Sequence, residues 1–182
     1  IYTNDSGPGN PGGGWSGGAG DMFIEEIVES AEVATNLRLK ASVRFVFPTG
    51  KQKPFGNSQY QWAPGGGIIY AMPDVGEGVT LQPYVRYFSG FAPQASVSEI
   101  RTLDLYPAAT IGLPQQWKLL LYPENPITYN HNNGTWFVPL DLMLSRRIDR
   151  MVDFGIGGAF KLGNTSDPSY RYIIDARLTV TF

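Results

Sequence analysis

Apolar residues recur at every second position along most of the chain. The pattern is clearest at 170–182, where Tyr170, Tyr172, Ile174, Ala176, Leu178, Val180 and Phe182 alternate with Arg171, Ile173, Asp175, Arg177, Thr179 and Thr181. A period of two places one set of side chains on each face of a β-strand. The same alternation runs through 152–162, 136–144, 103–113, 79–87, 60–72 and 37–47, and 117–122 is apolar and strand-like with weaker alternation. Segment 21–33 fits two periods. Asp21 could cap a helix with Phe23, Ile27 and Ala31 on one stripe, or the segment could be a strand with Met22, Ile24 and Val28 outward. Its neighbours favour the strand.

These segments predict strands of about 12–15 residues, longer than the roughly 5–6 of ordinary globular sheets and enough to cross a bilayer at a tilt. Aromatics gather at their ends (Trp62, Tyr87, Trp117, Trp136, Tyr170, Tyr172, Phe182), as in the girdles of a membrane interface. Connections alternate in length. Segments 49–58, 90–98, 123–134 and 163–169 read as longer loops, and 73–78, 113–116 and 147–150 as shorter turns. Long external loops alternating with short periplasmic turns mark an antiparallel transmembrane β-barrel. The expected organisation is a Gly/Pro-rich external loop or tail at 1–20 and a barrel domain at 21–182. Nine strands are expected. Single-chain bacterial barrels are mostly even-stranded, so one or three further strands are expected from the rest of a longer chain or from another subunit. With 21–33 as a helix, eight strands could close alone.

Composition narrows the chemistry. The 182 residues include 22 Gly, 14 Pro, one His and no Cys, with 16% charged residues and a formal net charge of −2. The Gly and Pro content disfavours a helical bundle. The absence of Cys excludes disulfides and thiolate sites, and a single His excludes a multi-His metal centre. The charge argues against nucleic acid as a partner. No apolar run approaches a transmembrane helix, and the mean hydropathy is −0.16, a measure to which alternating strands are invisible. No cofactor is implied.

Several short motifs carry a resemblance: Gly20-Asp21 before a strand, Phe47-Pro48-Thr49-Gly50 at a strand end with Phe55-Gly56 after it, Leu81-Gln82-Pro83-Tyr84, Val138-Pro139-Leu140, and the final strand. In this order from Gly20 to Phe182 the chain resembles the outer-membrane barrel family described as a putative meta-pathway phenol-degradation transporter. The resemblance implies a twelve-strand barrel taking up hydrophobic or aromatic solutes, with further strands before Gly20-Asp21. The terminal Phe182 likewise resembles the last residue of bacterial outer-membrane barrels.

The faces opposite the apolar ones assign a polar lumen. Arg38, Lys40, Arg44, Arg86, Lys118, Lys161, Arg171 and Arg177 would line it with Asp104, Asp141, Asp153 and Asp175. An excess of cations favours small organic anions. The alternative is that these charges pair across strands and fill a narrow barrel, because buried charge needs partners. The expected function is therefore passage of small solutes, aromatic or hydrophobic ones among them, across the bacterial outer membrane. The competing reading is an interaction barrel with a plugged lumen and partner-binding loops. Enzymatic chemistry is not expected. Gly14-Trp15-Ser16-Gly17-Gly18 fits the nucleophile pattern G-x-S-x-G but has no strand before it, and His131 lies in an Asn-rich loop. Gly65-Gly66-Gly67 lacks the Lys-Ser/Thr of a phosphate loop and reads as a bend or close approach.

Overall fold

A computed structural model describes residues 2–3, 16–50, 56–75, 78–93, 98–162 and 172–180. Two short paired segments, β1 (Tyr2–Thr3) and β2 (Ser16–Gly17), stand apart from the main sheet. That sheet contains the antiparallel strands β3 (Met22–Glu29), β4 (Leu37–Phe47), β5 (Tyr60–Ala71), β6 (Thr80–Phe91) and β7 (Arg101–Leu113). It continues through β8 (Trp117–Leu121), β9 (Ile127–Asn130), β10 (Thr135–Phe137), β11 (Pro139–Arg147), β12 (Val152–Lys161) and β13 (Tyr172–Val180). The fold is all-β. Among the described residues the only helical turn is the 3-10 segment Pro114–Gln116, in the tight β7–β8 connection.

Neighbours run in the order β3-β4-β5-β6-β7-β8-β11-β12-β13, with β9 beside β7 and β10 beside β9. The 11 strands thus form nine ribbons, because β8 and β9 are successive pieces of one ribbon along β7, and β10 and β11 of the next. Segment 21–33 is a strand over Met22–Glu29, with Met22, Ile24 and Val28 outward and 60–67% exposed. Asp21 does not cap a helix. Its two carboxylate oxygens accept the N–H groups of Gly50 (2.9 Å) and Asn57 (2.7 Å). Thr49 Oγ1 accepts Met22 N–H at 2.8 Å, and a Cβ at Gly56 would meet Gly50 O and Asp21 Oδ1. The short motifs around Gly20-Asp21, Thr49-Gly50 and Gly56 therefore meet at one knot that ties a strand entry to the following loop.

Two expectations need correcting. Segment 123–134 is not one long loop. Ile127–Asn130 and Thr135–Phe137 pair as a hairpin, with Thr128 opposite Phe137 and Asn130 opposite Thr135. The Asn-rich stretch 131–134 is its turn, closed by Gly134 at φ 69°, where Gly avoids a Cβ clash. The expected strand length of about 12–15 residues is met by β5, β6 and β7 with 12, 12 and 13, whereas β3 and β4 are shorter, with 8 and 11. The long β8 ribbon is broken by residues 122–126, where Pro123 and Pro126 remove backbone donors. The sheet is not closed, since β3 and β13 do not pair with each other.

The register divides the side chains cleanly. Every buried strand residue, including Gln61, Ala63, Ile69, Tyr84, Arg86, Asp104, Phe137, Asp141, Met143 and Ala159, lies on one face. The other face is open and mostly apolar, with Glu26 on β3 as a charged exception in mid-strand. Ile24, Val85, Leu144, Ile156 and Ile174 are among its exposed residues. Toward the end that carries residues 48–50, 56–59 and 98–100, this outer face carries Phe45, Tyr60, Trp62, Phe91, Trp136, Phe160 and Tyr172, each 43–56% exposed. Tyr60 stacks on Phe91 at 5.8 Å, and Trp136, Tyr129 and His131 continue the aromatic row.

Glycines let the sheet curl toward the buried face. A Cβ on Gly65 would fall on the Tyr84 phenol, and one on Gly157 would lie 3.1 Å from Met143. Gly65 and Gly67 thus mark a close approach, as expected for this stretch, while Gly66 faces outward without one and Ala63 beside them is fully buried.

Candidate functional site

The inner face is organised by a row that crosses five strands: Ser42 on β4, Gly65 on β5, Arg86 on β6, Asp104 on β7 and Thr128 on β9. Asp104 accepts Thr128 Oγ1–H at 2.8 Å. Arg86 turns the other way, across β5, and donates from Nη2 to Glu25 Oε1 on β3. Arg44 donates to Glu25 Oε2 from Nε at 2.9 Å and Nη2 at 2.6 Å, and Ser42 donates to Oε1 at 2.7 Å. One carboxylate thus holds two guanidinium groups. Their side chains are mostly withdrawn from solvent, so partner loss would strand a charge in a poorly solvated place.

A second cluster lies on β11–β13. Residues 122–126, between β8 and β9, fold onto the inner face. Asp141, only 1% exposed, accepts the N–H groups of Glu124 (3.0 Å) and Asn125 (2.6 Å) through Oδ2. The Tyr122 hydroxyl donates to Pro139 O at 2.9 Å. From β13, Arg177 reaches Glu124 at 2.6 Å. Between the clusters is a cavity of about 310 Å³ whose walls include Glu25, Ile27, Lys40, Arg44, Tyr84, Arg86, Tyr106, Leu120, Glu124 and Arg177. Residues of both edge strands, β3 and β13, border it, which shows how far the sheet curls.

Each expected site residue within the described chain is on this face: Arg38, Lys40, Arg44, Arg86, Asp104, Lys118, Asp141, Asp153, Lys161, Asp175 and Arg177. Arg171 lies outside the described residues, as do Tyr170 and Phe182. The site residues are not gathered at one place. Arg38 pairs with Glu29 at 2.9 Å near one rim. Asp153 lies 3.5 Å from Arg147 beside the β11–β12 turn, and Lys161 is at the far end of β12, opposite Pro139. Asp104 and Asp141 are buried in the wall by their hydrogen bonds.

Sequence reasoning missed Glu25, Glu29 and Glu124. The first two lay in the segment with two possible periods, although its strand reading puts Glu25 and Glu29 inward. Glu124 sat in an expected external loop. Glu25 and Glu29 narrow the expected cation excess on this face, and Glu124 occupies Arg177. His131 is in the β9–β10 turn, between the rings of Tyr87 (5.6 Å) and Tyr129 (4.7 Å). Of Gly14-Trp15-Ser16-Gly17-Gly18, Gly14 and Trp15 lie outside the described residues. Comparisons with protein families, with curated proteins and with solved structures found no match.

Proposed function

We propose that this sheet is the wall of a bacterial outer-membrane β-barrel that passes small solutes along its polar inner face. The observation that carries the reading is the division of the sheet. One face is mostly apolar and exposed, with Glu26 its charged exception in mid-strand, and the other carries ion pairs and a cavity. An apolar face of this extent in water would be an aggregation surface. In lipid it is the required surface, and the aromatic row would sit at a headgroup interface. The resemblance of the Gly20-Asp21, Phe47–Gly50 and Gly56 motifs to the phenol-degradation transporter family supports the same reading, and their meeting at one knot gives those residue types a physical reason. Strand edges in lipid leave backbone groups unsatisfied at several kcal/mol each. The reading therefore needs β3 and β13 to be covered, by further strands of a longer chain or by a second subunit. Passage is tested by reconstituting the protein in planar bilayers, where discrete conductance is expected. Recovery of the protein outside the outer-membrane fraction of a sucrose gradient overturns the location.

The ion pairs favour a second reading, an interaction barrel whose lumen is filled. Glu25 occupies Arg44 and Arg86, Glu124 occupies Arg177, and residues 122–126 lie over the inner face. This version expects no conductance, and expects deletion within the polar segment 49–58 to abolish partner binding.

A further inference from the structure

We propose that the inner-face cavity is a binding site for a small organic monocarboxylate, with Lys40 as the group that receives the carboxylate. The inference rests on the reading of this face as a solute path. It adds the site and the charge of its ligand.

Ion pairing singles out Lys40: each other cation at the cavity touches a carboxylate, and Lys40 does not. The cations bordering the cavity are Lys40, Arg44, Arg86 and Arg177. Arg44 and Arg86 are held by Glu25, and Arg177 by Glu124. Lys40 lies opposite Glu29 in the β3–β4 ladder, but Glu29 is taken by Arg38. Among the described residues no carboxylate lies within ion-pair distance of the Lys40 ammonium. Its close neighbour is the Tyr84 ring, 5.5 Å away at the centroid, which polarises toward a cation without neutralising it. An ammonium so placed attracts one negative charge.

The other walls define the rest of the ligand. Ile27, Ala108 and Leu120 are apolar, and Tyr84 and Tyr106 stand edge to face with centroids 6.0 Å apart. The volume of about 310 Å³ is near the lower end for ligand pockets, roughly 300–1,000 Å³. It suits a single ring or a short alkyl chain. A single ammonium beside apolar and aromatic walls suits a carboxylate carried on a small apolar body.

The test is a ¹⁹F NMR titration of the full chain in detergent micelles with 4-fluorobenzoate, and with 4-fluorobenzamide as the neutral probe of equal shape. Saturable benzoate binding is expected, with the amide weaker by about tenfold or more. Lys40→Met is expected to lose about tenfold, and Lys40→Arg to keep most of the affinity. If Lys40→Met does not fold, Ala108→Phe, which fills the cavity without touching a charge, is expected to abolish benzoate binding. Equal binding of the two probes, or benzoate affinity unchanged in Lys40→Met or Ala108→Phe, overturns the site. Conductance is scored separately. Benzoate binding without conductance keeps the site and removes passage, whereas conductance with no Lys40-dependent binding removes only the site.

Discussion

Arg86 faces Asp104 across the β6–β7 ladder, yet its guanidinium pairs with Glu25, three strands away on β3. Strands in a flat sheet are about 4.8 Å apart, so three steps would separate the two backbones by about 14 Å. The pair closes because β4 and β5 present Ser42 and Gly65 on the path and the sheet bends over them. A similar relation holds between Arg177 and Glu124, with the small inward residues Gly155, Gly157 and Ala159 on the intervening β12. Each cross-curl ion pair thus spans a strand with small inward residues at its middle, over which Tyr84 or Met143 packs.

Replacing Glu25 with Gln should destabilise the fold by about 3–5 kcal/mol, because two guanidinium groups lose their shared counter-charge in a place where only 10% of the Glu25 side chain is exposed. Urea unfolding from detergent measures it. Pairing the change with Arg86→Met should cost less than the sum of the single changes, since removing both partners leaves less charge stranded. Additive losses would mean that the two residues do not interact.

Gly65→Val should destabilise through collision with the Tyr84 phenol, by about 1–3 kcal/mol or more. Adding Tyr84→Ala should restore part of the loss, and heat-induced mobility shifts on gels can follow both variants. Gly66, on the opposite face with its nearest contact 3.7 Å away, should tolerate Ala.

Asp141→Asn keeps the size of the side chain and removes the charge that receives two backbone N–H groups. Loss of a charge-assisted bond weakens such a tether by about 1.5–3 kcal/mol. Amide exchange at Glu124 and Asn125 should accelerate markedly while that of β12 is unchanged. No change at these two amides would show that residues 122–126 are held by something other than Asp141.

The two faces should respond oppositely to charge. Ile156→Arg, on the outer face, should lower folding stability in lipid vesicles by about 2–4 kcal/mol if that face meets the bilayer midplane. Gln82→Arg, on the inner face, should cost far less. Equal effects would remove the lipid-facing assignment.

Much of the sheet was legible because alternation is a geometric property of each strand and survives any error in the ends. The strands at 37–47, 60–72 and 103–113 lie close to their expected bounds for this reason. Asp21–Glu29 was not decided by its own residues, since Phe23 and Ile27 satisfy a helical stripe as well as an inward strand face. Its pairing with β4 decides it. The ligation of Glu25 was likewise hidden, because it depends on sheet curvature, a property spread over Ser42, Ala63 and Gly65. Residues 123–134 misled through their polarity. Ile127 and Tyr129 keep the alternation there, but the Asn-rich turn outweighed them.

The break between β8 and β9 has a consequence for how this chain tolerates change in length. From Leu121 to Ile127 the chain takes six steps while its partner β7 takes four, from Ala109 to Leu105. The surplus is two residues, an even number, so Leu120 and Thr128 still point to the same side. A single-residue deletion in 122–126 would turn Thr128 outward and Ile127 and Tyr129 inward, unless the segment absorbed the loss by lifting off the wall. Deleting two would straighten the ribbon and leave inside and outside as they were. This stretch behaves as a spacer that counts by parity.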